Sequence, residues 1–346
     1  MVDKLQWIQV LRALAVLLVL LSHLFRIDEK YSADVLLDDW ALVGKSGVDL
    51  FFVISGFIMV MVTEGRREGF RRAAVFLYRR LLRIYPVYWF YTTIVLVVYL
   101  LRPGMVNSGE ASSIWGSYLL WPSDSPFLVA VGWTLVYEVY FYLVFALLFF
   151  LPRSFLVGGL LVWAGFVLVL SFWSEAWSVW ARCATNPLVY EFIFGALLAI
   201  FCLKNAPKIS LVTSLGLVIL AIITVFWGGE WYLFTEGDTP KGWWRVLVFG
   251  VPSVVLVYAA YAMDFSNVHA PRWLVLAGDS SYSTYLSHVM VLSVLGYFWV
   301  WIGRYFALSS LWVLPFMVVA CFVYGWVSYR FIEKPLLRMG KKVVLE

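Results

Sequence analysis

The chain has 346 residues, of which 63% are hydrophobic and only 14% are charged. Soluble domains carry roughly 25% charged residues, so the composition excludes an ordinary soluble domain and indicates a membrane protein. Three scattered cysteines are too few for a disulfide framework or a metal site, and no metal is predicted.

Apolar runs of about 17–25 residues recur along the whole chain, and each is long enough to cross a hydrocarbon core roughly 30 Å thick. They predict an all-α polytopic membrane protein with helices near residues 5–25, 47–63, 84–102, 127–150, 154–173, 186–203, 210–228, 244–262, 283–303 and 308–332. The second and sixth runs are short, so one of them is a candidate broken or re-entrant segment. Residues 1–346 are interpreted as a single transmembrane domain without a fused soluble domain.

The net charge of +5 is explained by the position of the basic residues rather than by nucleic-acid binding. Most Lys and Arg residues fall in the loops that share a side with the N-terminus, and acidic residues collect in the opposite loops. The excess of basic residues in cytoplasmic loops therefore predicts that both termini are cytoplasmic. No small-x-small cleavage site follows the first apolar run, which is expected to be retained.

Charged side chains inside apolar runs cost on the order of 2.5–3.5 kcal/mol each and call for a reason. Arg12 and His23 lie eleven residues apart, about three helical turns or roughly 16 Å, and so project from one face of the first helix. Asp49 opens the second helix at the same end as His23. A hairpin of these helices predicts that Asp49 orients the His23 ring, whereas the simpler interpretation is a helix cap beside a structural histidine.

Seven arginines lie between Arg66 and Arg83. For most of them, orientation and attraction to anionic lipid are sufficient reasons. Arg80 and Arg83 differ because three-residue spacing puts both guanidinium groups on one helical side, where paired forks bind phosphate. A phosphorylated cytoplasmic ligand is one hypothesis for this pair.

Three further groups are candidates. Glu138 lies near the middle of its apolar run, and a structural ion pair with Arg12 or another arginine is as good an interpretation as a catalytic role. Glu191 is nearer the end of its run and ranks lower. His288 is placed near the cytoplasmic start of the ninth helix, where a structural histidine is the default.

Six segments taken in order resemble acyltransferase family 3, the integral membrane O-acyltransferases that modify bacterial surface glycans. They are RALA at 12–15 with His23, GVDLFFVISGF at 47–57, RRLLRIYPVYW at 79–89, WTLVYEVYFY at 133–142, SYSTYLSH at 281–288 and EKPLLR at 333–338.

The resemblance implies about ten helices, a place in the bacterial cytoplasmic (inner) membrane and acetyl-CoA, or another acyl-CoA, as donor substrate, with no permanently bound cofactor. It implies that Arg12 and His23 are the essential basic residue and histidine, and that Arg80 and Arg83 are the Arg-x-x-Arg pair. Ser55 and Gly56 match a small turn-like motif of the family. Together with Arg79 and Tyr85, they complete the predicted donor site. The implied acceptor is a glycan or a lipid-linked oligosaccharide, and a homodimer is left open.

These pieces suggest a mechanism in which coenzyme A places its phosphates on Arg80 and Arg83 and its thioester near His23. His23, oriented by Asp49, is then the general base toward a sugar hydroxyl. An acyl-imidazole intermediate is the alternative chemistry, and Arg12 is expected to steady Glu138 or the lower part of the donor.

The competing class is a transporter or flippase of lipid-linked glycans, in which the same buried ions relay protons. Such proteins often consist of two related halves, but the arginine cluster has no counterpart in the second half of the sequence. A membrane scaffold is a third class, which does not need so many ions within the membrane.

Overall fold

The computed structural model describes residues 5–65, 69–173, 177–207, 209–306 and 308–343. Within these ranges ten helices are long and apolar enough to cross a membrane, which confirms the predicted number. In chain order they are α1 (Gln6–Tyr31), α2 (Asp39–Thr63), α3 (Phe70–Leu101), α4 (Gly132–Phe150), α5 (Arg153–Ser171), α6 (Val179–Lys204), α7 (Leu211–Glu236), α8 (Gly242–Phe265), α9 (Ser281–Gly303) and α10 (Ser310–Gly340). The described part of the chain forms no strand beyond one isolated bridge, so the all-α class is also confirmed.

The outer surface of the bundle is strongly apolar. Phe234 and Val212 on α7 are 90% and 79% exposed, and Phe316 on α10 is 61% exposed. Soluble monomers rarely leave such large apolar patches in contact with water. A surface of this kind is suited to lipid, and the chain is a multi-pass membrane protein.

Helix α3 begins at Phe70 rather than near residue 84, so the arginine-rich segment is helical from residue 70 onward and not a loop. Arg66 and Arg67 lie outside the described residues. The hydropathy pattern marks only the apolar half of this helix. Arg and Leu are good helix formers, and Arg71 and Arg72 are exposed at the start of the helix, where long stems let their charges reach water. Arg80 and Arg83 consequently have a fixed helical position.

The sixth spanning segment is broken, as the sequence suggests for one of the short runs. A short helix (Val179–Ala184) is followed by a turn at residues 185–188 and then by the helix Val189–Lys204. Pro187 lies in this turn, where its missing N–H group and fixed φ angle interrupt a helix. Because of this break, the longer part of α6 begins inside the protein.

Gly56 lies inside α2 and sets how closely α2 approaches α6. A Cβ atom at Gly56 would lie 2.0 Å from the carbonyl oxygen of Phe192, and one at Gly195 would lie 2.0 Å from that of Val53. Small residues allow such close helix contacts in membranes. The prediction that Ser55 and Gly56 form a turn is therefore wrong, because both belong to a regular helix.

Helices α1 and α9 pack side by side and run in the same direction. The His23 ring contacts the His288 ring, and Gly296 packs against the Tyr31 ring, so equal steps along the two helices keep them in contact. His23 lies seventeen residues beyond Gln6, about 25 Å along the axis of α1. His288 shares this depth, so the prediction that it lies near the cytoplasmic end is wrong.

Candidate active site

A cavity of about 410 Å³ lies among α1, α2, α3, α4 and α9. Its volume is within the range of about 300–1,000 Å³ that is usual for small-molecule sites. At the end near the start of α1 and α3 it is lined by Arg12, Arg80 and Arg83. At the other end it is lined by Phe51, Thr134 and Tyr285, and the walls between are mostly apolar.

The arginine end of the cavity concentrates positive charge. Arg83 acts electrostatically on both Arg12 and Arg80, so its guanidinium group repels each of the other two. In the described part of the chain, the guanidinium of Arg12 has a single hydrogen-bond acceptor, Gln9 Oε1 at 3.1 Å, and the buried Nε of Arg80 has none. Buried donors normally have partners, so this end is suited to an anionic ligand.

Three of the predicted donor-site residues do not line the cavity. Gly56 packs against Phe192 of α6 instead. Arg79 is exposed on the surface of α3. The hydroxyl of Tyr85 donates to the carbonyl oxygen of Leu119 at 2.8 Å, away from the cavity. Their predicted contact with the donor has no support in the geometry, whereas Ser55 does line the cavity.

Glu138 lies in the cavity wall beside Ser55. The Ser55 hydroxyl donates to Glu138 Oε1 at 3.2 Å, and the Tyr142 hydroxyl donates to the same oxygen. The salt bridge with Arg12 that the sequence left open is not formed between these two described residues, although the charge of Glu138 acts on both Arg12 and Arg80. Glu138 therefore offers the cavity a carboxylate that two hydroxyl groups hold in place.

Helix α10 contributes a second carboxylate, Glu333, which partly balances the charge of the arginines. Glu333 is 1% exposed and accepts a hydrogen bond from the Ser283 hydroxyl at 2.6 Å. It ends a π-helical turn (Tyr329–Glu333), a distortion found frequently at functional sites. Its charge acts on Arg12 and Arg83, so these guanidinium groups are partly compensated without a close ion pair.

Aromatic rings connect the cavity to the histidines at the end opposite the arginines, called the inner end below. The Phe51 and Tyr285 rings have centroids 5.7 Å apart, and the Tyr285 hydroxyl lies 2.8 Å from Thr134 Oγ1. The Tyr285 ring is 5.8 Å from the His288 ring, which is 4.9 Å from the His23 ring. The lining thus ends one helical turn before His288, about 4.5 Å along α9.

The predicted pair of His23 and Asp49 is not formed. Both carboxylate oxygens of Asp49 accept from Arg245, with Nε and Nη2 each at 2.8 Å. The neighbour of His23 is His288 instead. Both helices do place these residues toward the same end. The prediction is wrong because the rotation of α2 turns Asp49 toward α8 and away from α1.

Asp49 belongs to a buried charge cluster with Arg245 and Glu191. Asp49 and Glu191 are fully buried, and the charges of all three groups act on one another. Gly250 closes a π-helical turn (Val246–Gly250) just after Arg245, and a Cβ atom there would lie 3.0 Å from Glu191 Cγ. The missing side chain makes room for Glu191.

Sequence reasoning did not identify Arg245 as a site-forming residue and assigned His288 to a structural role. Arg245 stands at the start of an apolar run, and this position was the available signal. His288 ends the SYSTYLSH segment, and that position gave a signal for it.

A ten-helix bundle with an arginine-lined cavity that ends at Tyr285, one helical turn before His288, fits a membrane enzyme acting on an anionic ligand. A family model for an acyltransferase domain matches residues 5–330, nearly the whole chain. The chain belongs to acyltransferase family 3, and the protein is a multi-pass membrane acyltransferase.

Two relatives extend this result. The exopolysaccharide production protein ExoZ of Rhizobium meliloti is 31% identical over 315 residues, which cover 86% of this chain and 91% of ExoZ. The O-acetyltransferase OatA of Staphylococcus aureus is 25% identical over an alignment that covers 96% of this chain and 57% of OatA. No solved structure is significantly similar.

Proposed function

We propose that this protein is an O-acetyltransferase of the bacterial cytoplasmic membrane that moves an acetyl group from acetyl-CoA to a hydroxyl of an exopolysaccharide or surface-glycan sugar. The observation that carries this proposal is the cavity, which has three guanidinium groups at one end and Tyr285 at the other, with the Tyr285 ring 5.8 Å from that of His288. The relationship to ExoZ and OatA supports the reaction and the class of acceptor.

The donor fits the cavity by charge and shape. Arg80 and Arg83 would hold the phosphates of coenzyme A with charge-assisted hydrogen bonds, and the unpartnered Nε of Arg80 supports this assignment. The narrow pantetheine arm would extend between apolar walls past Ser55 and Glu138. The thioester would then reach the Tyr285 end of the cavity, next to the histidines.

The acceptor hydroxyl would be activated at His23. Its ring takes the hydroxyl proton while the oxygen attacks the thioester carbon, and the C–S bond then breaks. The proton passes from His23 to the sulfur of the departing coenzyme A, so atoms and charge balance. In the alternative sequence, His23 first attacks the thioester and carries the acetyl group as an acyl-imidazole.

Substituting Arg80 and Arg83 tests the donor site. Each Arg→Ala change is expected to weaken acetyl-CoA binding by about tenfold or more, because hydrogen bonds to charged groups contribute about 1.5–3 kcal/mol. Binding is measured by titration of the purified protein in lipid nanodiscs. Arg79→Ala is the matched control, since Arg79 is exposed on the same helix and should leave the affinity unchanged. Equal affinities for all variants would contradict the assignment.

Mass spectrometry of the surface polysaccharide tests the reaction. Acetyl esters are expected to disappear when the gene is deleted and to return with the wild-type gene. Acetyl-CoA should also raise the melting temperature of the purified protein. A transporter or flippase of lipid-linked glycans predicts neither stabilisation by acetyl-CoA nor loss of esters from a polysaccharide that is still exported, so these two results exclude that class.

A further inference from the structure

The structure defines which nitrogen of His288 carries the proton. His288 is fully buried in α9, and its Nδ1 lies 2.6 Å from the carbonyl oxygen of Tyr285, three residues earlier. A carbonyl oxygen can only accept a hydrogen bond, so Nδ1 must donate. In a neutral imidazole the other nitrogen then carries a lone pair and no hydrogen. Nε2 of His288 is therefore an acceptor.

This acceptor lacks a partner. Nε2 of His288 is buried and accepts no hydrogen bond from any described residue. An unsatisfied buried polar atom costs about 1–3 kcal/mol, and such atoms in a native fold require an explanation. The imidazole of His23 lies next to it, with ring centroids 4.9 Å apart and planes inclined by 62°. The two described rings share no hydrogen bond in the structure, but at this separation rotation of the His23 ring can bring two nitrogens within hydrogen-bonding distance.

The charged groups that act on His23 are cations, and no described carboxylate is available to orient its ring. The groups that act electrostatically on His23 are Lys45 at the start of α2 and Arg26 on α1, and both are cations. Asp49, the carboxylate that could have compensated an imidazolium, is bound to Arg245. Among the described residues, His288 has its ring in contact with that of His23, and its unpartnered Nε2 can accept a hydrogen bond from it.

We propose that His288 is the positioning residue of a two-histidine pair, in which its Nε2 accepts the N–H group of His23. This leaves the second nitrogen of His23 with its lone pair directed to the acceptor hydroxyl. The inference rests on the proposed function for its chemical meaning, and it assigns to a neutral histidine the orienting role that a carboxylate has in many catalytic triads.

The proton balance of the reaction is unchanged by this pair. The acceptor O–H bond breaks and its proton binds the free nitrogen of His23, which becomes an imidazolium. The other N–H group of that imidazolium stays hydrogen-bonded to Nε2 of His288. His23 then returns the proton to the thiolate of coenzyme A, and His288 ends the cycle as it began.

Tyr285 connects this pair to the donor cavity. Its carbonyl oxygen fixes the proton on His288, while its ring and hydroxyl form the inner end of the cavity with Phe51 and Thr134. One residue thus defines both where the donor ends and which nitrogen of His288 is free. The two-histidine pair and the site for the thioester are therefore positioned by the same turn of α9.

Nitrogen NMR of the protein labelled at histidine tests the pair directly. The chain has three histidines, and the third, His269, is exposed outside the site and serves as the reference. In the wild type, His288 is expected to show a protonated Nδ1 and an unprotonated Nε2, and His23 a single tautomer. In His288→Leu the His23 signals should change to a mixture of tautomers. In His288→Gln they should stay closer to the wild type, because the Gln carbonyl supplies an acceptor. His23 signals that are the same in all three proteins would overturn the inference.

Kinetics with labelled acetyl-CoA and de-O-acetylated exopolysaccharide provide the second readout. His288→Leu is expected to lower kcat by about 10–100-fold, by analogy with the cost of losing the partner that orients a metal-ligating histidine, with little change in KM for acetyl-CoA. His288→Gln should recover part of the rate, and His269→Gln should match the wild type. A normal kcat in His288→Leu would refute the pair even if transfer is confirmed. If the wild type transfers no acetyl group but the NMR coupling is present, the proposed function fails and the pair stands.

Discussion

His23→Ala is expected to lower the rate of acetyl transfer by about 10²–10⁴-fold, the range that a well-placed general base contributes. His23 lies about 25 Å along α1, in contact with His288 and beyond the inner end of the cavity. An alanine at this position cannot take up the acceptor proton. The rate is measured as acetyl esters formed on the native glycan by cells that produce equal amounts of each variant.

His269→Ala is the matched control, because His269 is exposed and lies outside the site. It should retain full activity. Undiminished acetylation by a normally produced His23→Ala protein would rule out His23 as base and as acyl carrier. Incubating the purified wild type with acetyl-labelled CoA and no acceptor then separates the two chemistries, since only the acyl-imidazole route leaves label on the protein.

Asp49→Ala is expected to lower the free energy of unfolding by about 3–5 kcal/mol, the usual cost of removing one partner from a buried ion pair. Asp49 is fully buried and binds Arg245 through two hydrogen bonds of 2.8 Å. Its loss leaves a guanidinium whose side chain is only 14% exposed next to Glu191 alone. Unfolding is followed by denaturant titration of the protein in mixed micelles.

Asp124→Ala is the control for this prediction, because it breaks the ion pair with Arg182 at an exposed site. An exposed pair contributes at most about 1 kcal/mol. The triple variant Asp49→Leu, Glu191→Leu and Arg245→Met should recover most of the stability, since it removes all three charges of the cluster together. Equal losses for Asp49→Ala and Asp124→Ala would show that the buried cluster does not stabilise the bundle.

The sequence by itself determined the class of the fold and the family. Apolar runs of membrane-spanning length are a local property that survives any arrangement of the helices, so ten spans could be counted without a structure. The six segments that resemble the family are also local. Helical spacing correctly placed Arg80 and Arg83 on one side of α3, where both line the cavity.

Only the tertiary structure decided the partners of the charged residues. Spacing along a helix gives the height of a residue, but not the rotation of the helix or the identity of its neighbours. Asp49 and His23 lie toward the same end of their helices, yet Asp49 binds Arg245, 196 positions later, and His23 contacts His288 on α9. Contacts between residues so far apart depend on how α1, α2, α8 and α9 pack. Close approaches help to fix this packing, such as that of Gly47 on α2 to the carbonyl oxygen of Ala15 on α1.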